Sequence, residues 1–275
     1  MKLISPFSTA AVIGLLSLTS AHAQAPMISL LFEDAPLGVV TSSTFEGWSV
    51  SDGTNRVVDV ITDSDDYFGK GSSAHMLRFA RLADGAGTMS FRAVNAFTPS
   101  PLITVSFTMY EPNITGTGAL GLYFGRNIPG STDLGGYITL RNGSASNYTG
   151  GTGTGSYTMD AAHRFDIVLN NAASSATYSE GTLSAESFDM WVDGVRVLEN
   201  AQFSTTSSSY TGNISSIQFI YASSPSGEQT VYFGEIGIFQ GGVVGAAIPE
   251  PSSSSMLLGG ALLALLGFQR LRVRR

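Results

Sequence analysis

The sequence predicts an all-β protein built as an antiparallel β-sandwich. Three observations lead there. Apolar and polar residues alternate with period two along most of the interior, and 32 glycines with many Ser and Thr interrupt that alternation at short intervals. No interior stretch carries a sustained 3.6-residue apolar period with helix caps. Alternation buries one strand face and wets the other, while glycine supplies the positive φ that tight turns need. Cysteine is absent from the 275 residues, so the fold rests on its apolar core rather than on disulfides.

Eleven strands are expected in chain order, at residues 55–62, 74–81, 88–94, 103–110, 119–125, 137–141, 165–170, 188–192, 195–199, 217–221 and 230–239. Each is rich in Val, Ile, Phe, Tyr or Thr and is bounded by Gly, Asn, Asp or Ser. In 188–192, Phe188, Met190 and Val192 fall on one face, with Asp189 and Trp191 on the other. Asp193-Gly194 then reads as a two-residue hairpin turn into 195–198. The run Gly150-Gly-Thr-Gly-Thr-Gly155 is expected to be a flexible linker or loop tip. It lacks the following Lys and helix start that a phosphate-binding loop requires.

The two ends read differently from the middle. Residues 1–23 have Lys2, an apolar run over 10–18 and the small-x-small site Ala21-His22-Ala23, the pattern of a cleaved secretory signal. Residues 248–275 form a tail in three parts. Pro249, Glu250, Pro251 and Ser252 come first, residues 256–268 form an apolar stretch, and Arg270, Arg272, Arg274 and Arg275 close the chain. The prolines hold an extended segment, and the terminal arginines favour the cytoplasmic side of a membrane.

That tail resembles the PEP-CTERM sorting signal of Gram-negative bacteria that make exopolysaccharide. The resemblance implies recognition of Pro249-Glu250-Pro251 by an inner-membrane exosortase, a transient hold on that membrane, and delivery to the cell surface or extracellular matrix. Gly259, Gly260 and Gly267 interrupt the apolar stretch and depart from a robust membrane helix. The expected organisation is a signal helix (1–23), a sandwich domain (24–247) and a sorting tail with a hydrophobic helix (248–275). Within the domain, residues 163–199 with the Val-Asp-Gly-Val turn, and the late run 231–239, resemble the concanavalin A-like or LamG-type sandwich, a jelly roll. That resemblance implies fold and leaves function open.

Between residues 24 and 247 there are 9 basic and 20 acidic side chains, a net −11. A domain so acidic repels phosphate backbones, which argues against a nucleic-acid partner. Only His75 and His163 remain outside the signal, and neither has the spacing of a zinc site or a catalytic motif. A glycosidase of the laminarinase type would place Glu-x-Asp-x-x-Glu on one strand; Glu186, Asp189 and Asp193 do not match it. The balance is against an enzyme. Asp63, Asp65 and Asp66 are the candidate ligands for Ca²⁺, with a solvated turn as the competing reading. Trp48 and Trp191, the latter with Asp189 beside it, are the candidate sugar platform, set against ordinary core packing. The function expected is that of a non-enzymatic surface protein associated with exopolysaccharide. The alternatives are a polysaccharide hydrolase or lyase, and a purely structural matrix protein.

Overall fold

The computed structural model describes residues 25–33, 35–53, 55–81, 88–113, 119–128, 133–204, 210–222, 229–246 and 248. The signal segment with Ala21 and Ala23, and the tail from Pro249 to Arg275, lie outside the described residues. Among the described residues there is no α-helix, and hence no helix long and apolar enough to cross a membrane.

The strands in chain order are β1 (Ile28–Leu31), β2 (Gly38–Val39), β3 (Trp48–Ser51), β4 (Arg56–Thr62), β5 (His75–Arg81), β6 (Met89–Ala93) and β7 (Leu102–Tyr110). Then come β8 (Ala119–Gly125), β9 (Leu134–Arg141), β10 (Ser144–Ser146), β11 (Tyr148–Thr149), β12 (Thr152–Gly153) and β13 (Ala162–Asn170). The last are β14 (Ala176–Tyr178), β15 (Gly181–Leu183), β16 (Ser187–Val192), β17 (Val195–Phe203), β18 (Ser216–Ala222) and β19 (Gln229–Gln240).

The strands form an antiparallel β-sandwich, as the alternation predicts. One sheet runs β11-β17-β16-β13-β7-β19-β5-β4-β2, with β1 also on β19 and β12 also on β17. The second runs β10-β9-β8-β18-β6-β3. Their inner faces share one core. Phe107 of the first sheet meets Phe219 of the second edge-on at 5.4 Å, and Phe124 meets Phe203 at 4.7 Å. Such edge-to-face contacts add to what burial alone contributes. The hairpin follows its sequence: Phe188, Met190 and Val192 enter the core, and Asp193 and Gly194 turn with φ of 50° and 78°. Both positive values match the right-handed twist of the joined strands.

Outside the core, β14 and β15 form a small separate hairpin. Its Tyr178 and Leu183 pack with Val168 on the outer face of the first sheet. After β19 the chain turns at Gly241 and folds back over the same face. There Val243 N–H donates to Thr104 Oγ1 at 2.8 Å and Gly245 N–H donates to Asp166 Oδ2 at 3.1 Å. Ile248 ends buried, and Gly237 leaves the room it fills: a Cβ there would lie 2.9 Å from Ile248 Cγ1. One end of this outer face is thus covered, and the other is open.

The glycine-rich run departs from expectation. Thr152 and Gly153 are β12, opposite Glu199 and Leu198 of β17, and β11 precedes them on the same strand. This run is the paired edge of the sheet rather than a linker. Its glycines let two backbones close to a distance no side chain permits, since a Cβ on Gly153 would lie 2.1 Å from the Val197 carbonyl.

Candidate functional site

The open end of the outer face is shaped by a change of partner along β19. Residues 229–233 of β19 pair with β5, whereas 235–238 pair with β1, and Gly234 sits between them as a bulge against β7. A bulge re-aims side chains and bends its strand. Here glycine is required for closeness, because a Cβ at 234 would fall 2.7 Å from Thr108 Oγ1 and 2.9 Å from the Phe68 ring. Where β1 and β5 part, a cleft of about 250 Å³ opens, lined by Glu33, Asp63, Lys70, His75, Arg164 and Glu235 over a floor of Thr108 and Phe68.

Most of these charges are held in place. The Asp63 carboxylate is 1% exposed and accepts the N–H groups of Tyr67 at 2.9 Å and Phe68 at 3.1 Å. Arg164 grips buried Asp166 through Nε and Nη2, donates to the Ala246 carbonyl, and lies 3.6 Å from Glu235 Oε1. Ser106 Oγ donates to the same Asp166 carboxylate. His163 is clamped at the cleft's edge, with Nδ1 2.6 Å from Asp193 Oδ2 and Nε2 2.7 Å from Thr158 Oγ1. His75 differs. Its Nδ1–H donates to the Ala35 carbonyl at 2.8 Å, which fixes the tautomer of the neutral ring and leaves Nε2 as its acceptor.

Beside the cleft, Tyr67, Tyr110 and Tyr232 gather on the same face. Tyr67 and Tyr110 stack at 4.0 Å, and Tyr232 lies 5.5 Å from Tyr67. Tyr110 is two residues from Thr108 on β7, so the aromatic group continues the cleft along that strand. All three are half-buried, and all three hydroxyls have pKa values raised above the ordinary range. The hydrogen bond that Tyr67 donates to Asp65 is the largest cause in its case, and burial in the other two. The three phenols stay protonated donors at any physiological pH.

The residues singled out from sequence fall elsewhere or do something else. Trp48 is not a platform. It is 3% exposed and stacked on Phe91 at 4.2 Å in the core, with no ring face left for a sugar. Trp191 is half-buried on the outer face as expected, but the Arg196 guanidinium sits 5.3 Å over its ring. Asp189 is 2% exposed and already accepts from Asn200 N–H at 2.7 Å and from the Tyr178 hydroxyl, so its oxygens do not reach solvent. The three Ca²⁺ candidates already have partners. Asp63 closes the loop it starts, Asp65 accepts the Tyr67 hydroxyl at 2.8 Å, and Asp66 accepts Gly71 N–H at 2.7 Å. The three carboxylates serve four local bonds, and among the described residues no group of three or more His, Cys, Asp or Glu is arranged to hold a metal ion.

Sequence reading missed the cleft because its groups come from residues 33 to 235, and only the topology joins them. One signal was present: Gly234 stands inside the alternating run 230–239, where an isolated glycine marks a bulge or a close approach.

No protein-family model matches the chain, and no curated protein matches it. Among solved structures it is similar to a carbohydrate esterase of the Shiga toxin-encoding bacteriophage phi24B, at 10% identity over 79% of this chain and 99% of that one, TM-score 0.47. It is also similar to an alginate lyase solved with alginate trisaccharide, at 11% identity over 78% of this chain and 98% of that one, TM-score 0.46. A third is a Bacillus subtilis protein with a galectin-like fold, at 11% identity over 78% of this chain and 96% of that one, TM-score 0.43.

Proposed function

We propose that the chain is an exported surface or extracellular-matrix protein, sorted by an exosortase through its Pro249-Glu250-Pro251 tail, whose sandwich binds exopolysaccharide without turnover. The observation that carries the binding half is the cleft at the Gly234 bulge with three half-buried tyrosines beside it. A sugar ring offers an apolar face and a rim of hydroxyls, and this site offers an aromatic surface and a ring of fixed donors and acceptors. Structural bonds already occupy Asp63, His163 and Arg164, which suits them to shaping the cleft more than to passing protons. The sorting half rests on the sequence of the two ends.

The full-length chain in mild detergent, titrated against a panel of bacterial polysaccharides, should bind at least one of them. Tyr110→Ala should weaken that binding several-fold, up to about tenfold, the scale of one aromatic contact. A folded protein that binds none of the panel would defeat the glycan reading. One observation favours a second reading, a polysaccharide-active enzyme: His75 presents Nε2 as an acceptor in a cleft that also holds Glu33 and Glu235. New reducing ends or unsaturated products, lost in His75→Ala, would establish it; binding without product would exclude it.

A further inference from the structure

The outer face of the second sheet carries a separate groove of about 380 Å³. The register sets two rows of side chains across it. Ser49, Arg92, Gln218, Tyr123 and Tyr137 stand directly opposite one another on β3, β6, β18, β8 and β9. Ser51, Ser90, Ile220 and Gly121 form the next row. Tyr123 and Tyr137 stack at 4.9 Å with only 10° between their planes, and a Cβ on Gly121 would lie 2.6 Å from the Tyr123 ring, so glycine lets that ring lie against the sheet.

The polar part offers groups that a partner can bond. Gln218 lines the groove, and its amide, which bonds no other described side chain, faces the groove's solvent. A ligand that displaces the groove water can take over that amide's donor and acceptor bonds. Arg92 is the only charged residue lining the groove among the described residues. Its Nε–H donates to Ser49 Oγ at 3.0 Å, and among the described residues no carboxylate pairs with its guanidinium. In a domain with a net −11, Arg92 thus stands free of acids beside that amide and a tyrosine surface.

We infer that this groove binds a carboxylate-bearing sugar unit, a uronate of an acidic polysaccharide. The carboxylate pairs with Arg92, a ring hydroxyl pairs with the Gln218 amide, and the sugar's apolar face lies on Tyr123. The assignment deepens the polysaccharide reading by naming a sugar class, and it rests on different residues on the opposite sheet. With both faces occupied, one molecule joins two polysaccharide chains.

The test is calorimetric titration of the full-length chain in mild detergent with oligoalginate, with hydroxyethylcellulose as the neutral probe and polyglutamate as the control for charge alone. Oligoalginate should bind, more weakly as salt rises, while the other two should not. Gln218→Glu and Arg92→Gln should each weaken binding at least about tenfold, the scale of one charge-assisted bond. Ser51→Asp, an exposed rim change that disturbs no packing, should weaken it several-fold in a protein of unchanged melting temperature. Thr177→Ala, on the exposed β14–β15 hairpin of the other sheet, should leave it unchanged. The inference is overturned if a folded protein fails to bind oligoalginate, if polyglutamate or the neutral probe binds equally well, or if Ser51→Asp has no effect. Loss with Tyr110→Ala alone would place uronate binding in the other cleft and overturn this one.

Discussion

Asp63 illustrates how a single side chain decides between two chemistries. An acidic cluster on a loop invites a cation, yet each carboxylate here has a local backbone or hydroxyl partner. The loop that Asp63 closes carries Tyr67 and Phe68 to the outer face, so this residue shapes the cleft without touching a ligand. Asp63→Ala strands two N–H donors, one of them on each of those residues, and should cost about 1–3 kcal/mol in urea unfolding. Asp63→Asn keeps one acceptor and should cost less. Added calcium should leave the wild-type melting temperature unchanged; a rise that Asp63→Ala abolishes would restore the metal reading. At this scale the sequence was a poor guide. The acids, the two tryptophans and Asp189 were all visible as types, but their roles depend on burial. Strand β3, which draws Trp48 inward, is 4 residues long, too short to declare which face is which.

Elements were far more legible. All eleven expected strands are present, and the span 119–125 coincides with β8. Long alternating strands advertise themselves because one face must be apolar along its whole length. What escaped were pieces of 2 to 4 residues, such as β2, β11, β12, β14 and β15, which have no room for a period. The glycine-rich run failed for a related reason. Glycine marks both a loose linker and a backbone in close contact, and composition alone does not separate them. A pair of variants does. Gly150 has φ of 62° and open space, with nothing within 4 Å, where a Cβ would stand, whereas Gly153 has φ of 106° and would set its Cβ 2.1 Å from the Val197 carbonyl. Gly150→Ala should therefore cost only about 1–2 kcal/mol, the left-handed penalty. Gly153→Ala adds a backbone clash and should cost clearly more, with faster amide exchange along β17. Equal costs would return the run to a loop.

Across the whole molecule, the cleft and the groove were invisible in the sequence because each is an intersection of distant strands. Glu33, His75, Arg164 and Glu235 meet through β1, β5, β13 and β19, and Arg92 and Gln218 through one register. The same packing that builds these faces buries phenols around the sandwich, and this sets a pH limit on the fold. Tyr157, Tyr178 and Tyr221 all have pKa values raised above the ordinary range. Burial is the first cause in each, joined by Glu111 for Tyr157 and Tyr221 and by Asp189 for Tyr178. In the unfolded chain a tyrosine loses its proton near pH 10. Above that pH the unfolded state therefore binds fewer protons than the folded one, and stability falls as pH rises. Below it these groups contribute a constant amount. The melting temperature should hold steady through neutral pH and then drop steeply from about pH 10, by up to about 1.4 kcal/mol of stability per pH unit for each fully protected phenol. Tyrosinate absorbance from these residues should rise together with loss of the β circular dichroism signal. Tyr157→Phe, which removes one of the protected protons, should make the alkaline slope shallower. Tyrosinate absorbance that develops fully while the sheet signal stays native would show that the folded protein lets hydroxide reach these phenols, and the proton linkage would then not account for any loss of stability.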